Sequence, residues 1–159
     1  ALAEADVPVA MVHDDIVWTS GAFLPPSWYR EHFFPHYRKL IGPLADSGKK
    51  VMYCSDGDFS EFTDDVAAAG VHGFVFEPVM DLASMAERYG RTHVLVGCVD
   101  TRILLRGNPE EIEEAVQRCV EVGRGCPGYV LAVGNHIPSN TPVEAALRYD
   151  QTSRRLRQR

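Results

Sequence analysis

Five positions in this 159-residue chain place reactive side chains directly behind a short apolar run. They are His13-Asp14-Asp15, Cys54-Ser55-Asp56-Gly57-Asp58, Glu77-Pro78, Cys98-Val99-Asp100 and Asn135-His136. Carboxylates, thiols and imidazoles gathered in one place can ligate a metal, polarise a substrate or move protons. Polar residues behind apolar runs also serve as ordinary loop residues and helix N-caps, so a single exit carries little weight. All five runs ending this way point to one functional face.

The individual residues differ. Asp14 and Asp15 are adjacent, so in extended backbone they point to opposite sides and one of them faces a pocket. Cys119 falls on an apolar helical face and reads as core; Cys126, beside Gly125 and Pro127, reads as a loop thiol. His32 and His36 lie four apart, which on one helical face would suit a metal ion. Pro35 between them disturbs that geometry, and a surface reading is preferred. His93 begins a strand and therefore sits on the wrong side for catalysis. No nucleophile elbow, P-loop or GxGxxG is present. The arginines of Arg154-Arg155-Leu156-Arg157-Gln158-Arg159 suit the negative end of a helix dipole, and a solvated terminus is favoured over a phosphate site.

The elements that must position these residues are legible as pattern. The apolar runs are Val9–Val12, Lys50–Tyr53, Gly73–Phe76, His93–Val96 and Tyr129–Val133. They are near-continuous rather than alternating, as parallel strands covered on both faces should be. Between them lie helical segments. Asn108-Pro109-Glu110-Glu111 supplies an N-cap, a proline at the first helical position and a glutamate three residues on. Ile112, Ala115, Val116, Cys119 and Val120 then share a face. Thr141-Pro142-Val143-Glu144 repeats that device. Gly48, Gly70 and Gly90 stand where helices should stop. Pro26 to Asp46 is helical in pattern, with Pro35 predicting a kink or two short helices. The sum is five β-α units, an α/β fold with a parallel sheet and right-handed crossovers. Doubly wound sheets and (β/α) barrels share this signature, and in both the functional face is at the carboxyl ends of the strands.

Composition narrows the class. The chain is 45% hydrophobic and 24% charged, which excludes disordered, collagenous and low-complexity proteins. The net charge of −6 argues against a nucleic-acid footprint. No apolar run reaches the roughly 20 residues of a membrane span. Ala1 to Asp6 carries two acids and no basic stretch, unlike a signal peptide, and the missing initiator methionine points to trimming, processing or a fragment. Four cysteines without a CxxC pair point to a reducing, cytoplasmic protein rather than a disulfide framework.

Several of these motifs resemble, in order, those of the uroporphyrinogen decarboxylase superfamily. Tyr53-Cys54-Ser55-Asp56-Gly57-Asp58-Phe59 is similar to its strand-to-loop motif. Gly97-Cys98-Val99-Asp100 with Pro109-Glu110-Glu111-Ile112 resembles its Gly-x-x-Asp strand and the acidic helix that follows. Gly134-Asn135-His136-Ile137-Pro138 with Thr141-Pro142-Val143-Glu144 resembles its last strand-to-helix passage, and Pro26 to Tyr37 its Pro…Tyr…Pro-x-Tyr stretch. The resemblance implies part of a (β/α)8 TIM barrel, about five βα units forming the C-terminal half, with residues 1–159 as one partial barrel domain. Typical barrels need about 250 residues. The strands bearing the family's essential aspartate and carboxylate-gripping arginines are therefore expected outside this chain, on a truncated N-terminal side.

The superfamily has two chemistries, and both stay open at this point. One is cofactor-free decarboxylation of uroporphyrinogen acetates in porphyrin biosynthesis. It implies Asp56, Asp15 and His136 as catalytic residues, with Asp14, Tyr53, Gly57, Glu77, Asp100 and Asn135 binding substrate. The other is methyl transfer with zinc and a corrinoid, for which Cys54, Asp56, Glu77 and Cys98 are the candidate metal ligands. Methyltransferases of the family carry His-x-Cys-Gly where this chain has Cys54-Ser55-Asp56-Gly57, and a cysteine where it has Asn135. The decarboxylase His-Gly of the last strand is replaced by Asn135-His136, so the chain departs from both patterns. A third reading is non-catalytic: a half-barrel with open strand edges self-associates or is completed by its N-terminal half. The expected ligand is a small molecule.

Overall fold

The computed structural model describes residues 2–157. Ala1, Gln158 and Arg159, which the readings of the two termini include, lie outside the described residues. The chain divides into two compact units, Ala1–Met80 and Asp81–Arg159. Five parallel strands alternate with helices across them.

In the first unit, β1 (Val9–His13) pairs with β4 (Lys50–Cys54), and β4 with β5 (Gly73–Val75), all parallel. The β1–β4 register sets Val9 beside Lys50 and His13 beside Cys54. Facing partners in a parallel sheet share a side, and successive residues alternate sides. Val51, Tyr53 and Phe74 therefore occupy one side, and all three are fully buried. His13, Cys54 and Val75 share the other.

After β1 the chain makes an antiparallel hairpin, β2 (Val17–Trp18) with β3 (Gly21–Ala22). No apolar run announced it. The segment from Pro26 then coils without a break through α1 (Pro26–Trp28), a π-helical stretch (Tyr29–Phe33) and α2 (Phe34–Asp46). The expected irregularity exists, but it is the wide turn ahead of Pro35 rather than a kink at it. Pro35 stands in the first turn of α2, directly behind the π-helical turn whose last step joins the Phe34 amide to the Tyr29 carbonyl, so the residue without an amide sits where the hydrogen-bond pattern changes. Phe34, Tyr37, Ile41 and Leu44 form the buried face of α2. A short helix, α3 (Thr63–Ala68), completes the unit.

In the second unit, β6 (Val94–Val99) lies parallel to β7 (Tyr129–Val133). The strand starts one residue after His93 and runs three residues past Val96, where the apolar run appeared to end. Cys98 thus belongs to the strand and is not behind it. Asp81 caps α4 (Leu82–Tyr89) by accepting from the amides of Ala83 and Ser84, at 3.1 and 3.3 Å. Asn108 caps α6 (Pro109–Gly123), accepting from Glu110 and Glu111 at 3.0 and 3.3 Å. The buried face of α6 is the expected one, with Val120 half-buried. A Cβ on Gly123 would overlap the Tyr129 ring, so α6 can approach β7 closely only with glycine there.

Two readings need correction. A helix that no pattern announced, α5 (Thr101–Arg106), fills the turn after β6. Thr141 does not cap α7 (Val143–Leu156): Pro142 is the N-cap residue and no side chain bonds the free amides. The Thr141 Oγ1 is buried without a hydrogen-bond partner. Proline at the cap has already set the backbone, and the threonine hydroxyl lies one residue too early to reach the amides. Glu113 on α6 instead anchors α7, through Arg148 at 3.1 Å and Arg155 at 2.7 Å. Among the described residues no helix is long and apolar enough to cross a membrane.

Candidate functional site

The strand exits of the first unit converge on the loop Ser55–Asp58. At the β1 exit the Asp14 amide donates to the Cys54 carbonyl (3.1 Å), which extends the parallel pairing one step. The Tyr53 hydroxyl donates to the Asp14 carbonyl (2.9 Å), and the Tyr37 hydroxyl to Asp14 Oδ2 (3.1 Å). Asp15 turns the other way, and its Oδ1 accepts from the Asp56 amide at 2.9 Å. The two adjacent aspartates do diverge, as extended backbone requires. Asp15 reaches the loop, and Asp14 faces the helical tyrosine.

The next amide of the loop, that of Gly57, donates to Glu77 Oε2 at 2.9 Å. Gly57 has φ +76°, and a Cβ there would lie 2.8 Å from the Trp18 carbonyl oxygen. Only glycine accepts both the left-handed backbone and the hairpin packed against it. Asp58 closes the loop by accepting from the Ser60 amide and hydroxyl. Three elements thus fix a four-residue loop and leave the Asp56 side chain exposed.

The electrostatics follow from this crowding. Burial, then Asp56, Asp15 and Glu77, push the Cys54 thiol up, so it is held protonated. Burial first, then the neighbouring phenol and Asp14, hold Tyr37 far above the usual tyrosine value. Burial raises Tyr53 as well. Both phenols therefore act as hydrogen-bond donors that position Asp14, and they are not bases.

The ligating atoms of His13, Asp15 and Asp56 lie within 4.8 Å of one another. Neither Cys54 nor Glu77 belongs to that cluster, and the Glu77 carboxylate is engaged by Gly57. The site residues of the second unit have partners of their own. Cys98 is buried, and its hydrogen bond with Cys119, then burial, keeps it a thiol. Of the zinc ligands expected in the first unit, Cys54, Asp56 and Glu77, Asp56 alone belongs to that cluster of donors among the described residues. Asp100 caps α5, accepting from the Arg102 amide (2.8 Å), and it is ion-paired with the Arg102 guanidinium (2.8 Å). Asn135 Oδ1 accepts from the His136 amide at 2.7 Å and lies 2.7 Å from His136 Nδ1. Both residues are exposed. His32 and His36 are exposed on the first unit's helical stretch, and His32 lies against the Trp28 ring at 5.2 Å.

Sequence reasoning missed Tyr37, His13 as a member of the cluster, and the hairpin that seats Gly57. Tyr37 was visible only as the end of a Pro-x-Tyr stretch. The hairpin strands are two residues each, too short for any periodicity to show.

Five parallel strands alternating with helices, with carboxylates behind the first of them, make an α/β fold of the kind found in part of a (β/α)8 barrel. The model of the family "Uroporphyrinogen decarboxylase (URO-D)" matches residues 1–155, and the chain belongs to that family. It is 30% identical over 138 residues to a uroporphyrinogen decarboxylase of Pelobacter propionicus, covering 87% of this chain and 40% of the relative. It is 28% identical over 150 residues to one from Pseudoalteromonas atlantica, covering 92% and 41%. The chain thus spans about two fifths of the length of the curated relatives it matches. A methyltransferase from Methanosarcina mazei has the same fold, with a TM-score of 0.74 at 21% identity, covering 96% of this chain and 43% of that one.

Proposed function

We propose that the protein containing this chain is a carboxy-lyase of the uroporphyrinogen decarboxylase type, acting on a porphyrinogen-like small molecule. One observation carries the reading. The Asp56 carboxylate is exposed on a loop that Asp15, Glu77 and the hairpin carbonyl of Trp18 hold in place. A carboxylate carried on a backbone held this way can accept hydrogen bonds from pyrrole N–H groups. It can also stabilise positive charge on the ring as carbon dioxide departs. Relatives named uroporphyrinogen decarboxylase across nine tenths of this chain support the substrate class. His136 is exposed and has an imidazole able to carry a proton; in this reading it serves as a proton donor. Methyl transfer through zinc would draw on Cys54, which lies outside the cluster that His13, Asp15 and Asp56 form.

The test is to incubate the longest protein that carries this chain with uroporphyrinogen and separate the products by carboxylate number. Stepwise loss of carboxylates to coproporphyrinogen is expected. Asp56→Asn should slow it by about a hundredfold or more, as removing a charge-stabilising group does. Absence of any decarboxylated product at high enzyme concentration would overturn the reading.

A further inference from the structure

The second unit holds two cysteines in one place. Cys98 is the next-to-last residue of β6, and Cys119 lies on the buried face of α6. Both are buried, and both are free thiols. The packing of α6 on β6 brings them into a hydrogen bond with one another. The decarboxylase reading uses neither of them.

The pair is unequal. Cys98 is the donor, and the bond to Cys119, then burial, keeps its proton in place. Cys119 is the acceptor. The hydrogen bond from Cys98 brings it below the ordinary thiol value, against the opposing effect of burial. Cys119 is therefore the residue that supplies a thiolate, the nucleophilic form. Tyr129 is a further neighbour of Cys119, and its hydroxyl donates to the Gly97 carbonyl. The same tyrosine borders a pocket of about 110 Å³, together with Val120, Gly123 and Leu156. Arg124 and Arg157, both exposed, also line it, so the pocket communicates with solvent. Its volume admits several water-sized molecules. A small oxidant thus reaches the residues that flank Cys119, whereas a protein partner does not.

We propose that Cys98 and Cys119 form a redox pair that closes to a disulfide when the protein meets hydrogen peroxide and reopens with a dithiol reductant. In the first step the Cys119 sulfur attacks one peroxide oxygen. An S–O bond forms, the O–O bond breaks, and the departing hydroxide takes up the proton that Cys119 had lost and becomes water. The sulfur is oxidised to sulfenic acid and the peroxide is reduced. In the second step the Cys98 sulfur attacks Cys119. The S–S bond forms, the S–O bond breaks, and the oxygen leaves as water with the Cys98 proton. Two thiols and one peroxide give one disulfide and two waters. A dithiol reopens the bridge by exchange and is itself oxidised. The closed bridge pins the end of β6, next to Asp100, to α6.

The experiment treats the longest protein that carries this chain with hydrogen peroxide, blocks the remaining thiols with N-ethylmaleimide and digests with trypsin. Trypsin cuts after Arg91, Arg102, Arg118 and Arg124, so Cys98 and Cys119 fall in peptides 92–102 and 119–124. Mass spectrometry should find these two peptides joined, lighter by two hydrogens than their sum, and separated again by dithiothreitol. Cys54 and Cys126 should carry the maleimide. In Cys98→Ser the hydroxyl keeps a donor beside Cys119. Peroxide with dimedone should label Cys119 there about tenfold more than it labels Cys98 in Cys119→Ser. Circular dichroism verifies that each variant is folded, and the wild-type peptide map stands without the variants. The proposal is overturned if folded wild-type protein yields no joined peptide, if the junction forms only in urea, if Cys119 bridges to a different cysteine, or if dimedone prefers Cys98. None of these measurements depends on decarboxylase activity.

Discussion

Single residues in this site act mainly by holding one another. Asp15 and Glu77 each spend a carboxylate oxygen on a loop amide, which leaves Asp56 as the carboxylate the loop presents. Gly57 is the most constrained position, since its backbone is left-handed and its missing side chain makes room for the Trp18 carbonyl. Gly57→Ala is therefore expected to cost about 1–3 kcal/mol, measured as a lower urea midpoint. An unchanged midpoint would mean that the hairpin does not rest on this residue. The reactivity of Cys54 follows from the same crowding. Its thiol sits above the ordinary range, so it should alkylate slowly at neutral pH.

At the scale of elements, two helix starts that look alike in sequence behave differently. Asn108 bonds two otherwise unpartnered amides of α6, and Asn108→Ala should lower stability by about 1 kcal/mol. Thr141 bonds none, and its hydroxyl is buried without a partner. Thr141→Val should be neutral or slightly stabilising in the same denaturation experiment; a loss matching that of Asn108→Ala would refute this. Between β4 and β5, His72 extends the ladder in both directions. Its amide donates to the Val51 carbonyl (2.6 Å), and its Nδ1 accepts from the Val51 amide (3.1 Å). Burial, then Lys50, holds the imidazole below its ordinary value of 6.5. As pH falls through that value the unfolded chain takes up the proton first, so stability present above it is lost progressively toward the lower folded value. The urea midpoint should drop between pH 7.5 and 5.5, and His72→Gln should flatten that drop.

At the scale of the whole molecule, the first unit exposes an edge that folding by itself does not cover. Among the described residues β1 pairs with β4 alone. Val9 and Met11 on it are 49% and 57% exposed, as is Val130 on β7 at 50%. Unpaired strand edges with apolar side chains recruit further strands. The chain on its own is expected to self-associate with rising concentration in sedimentation velocity, and Met11→Lys should reduce this. A wild-type monomer at high concentration would refute the expectation.

The sequence alone determined the parallel α/β class, the places of five strands, the Asn108 cap and the buried face of α6. Each of these is a local matter of hydrophobic period or capping chemistry, written in neighbouring residues. It also singled out the strand exits as the candidate functional face, because a strand that ends in polar residues says so locally. Only the tertiary structure decided which exit residues act together. Asp14 and Asp15 are neighbours in sequence, yet one belongs to Tyr37 and the other to the Asp56 loop. Cys98 looked like an exit ligand until β6 ran on and buried it against Cys119. Asp100 became a helix cap once α5 formed behind it. Partnerships of this kind depend on strand register and on helices packing from far along the chain, and no spacing in the sequence encodes them.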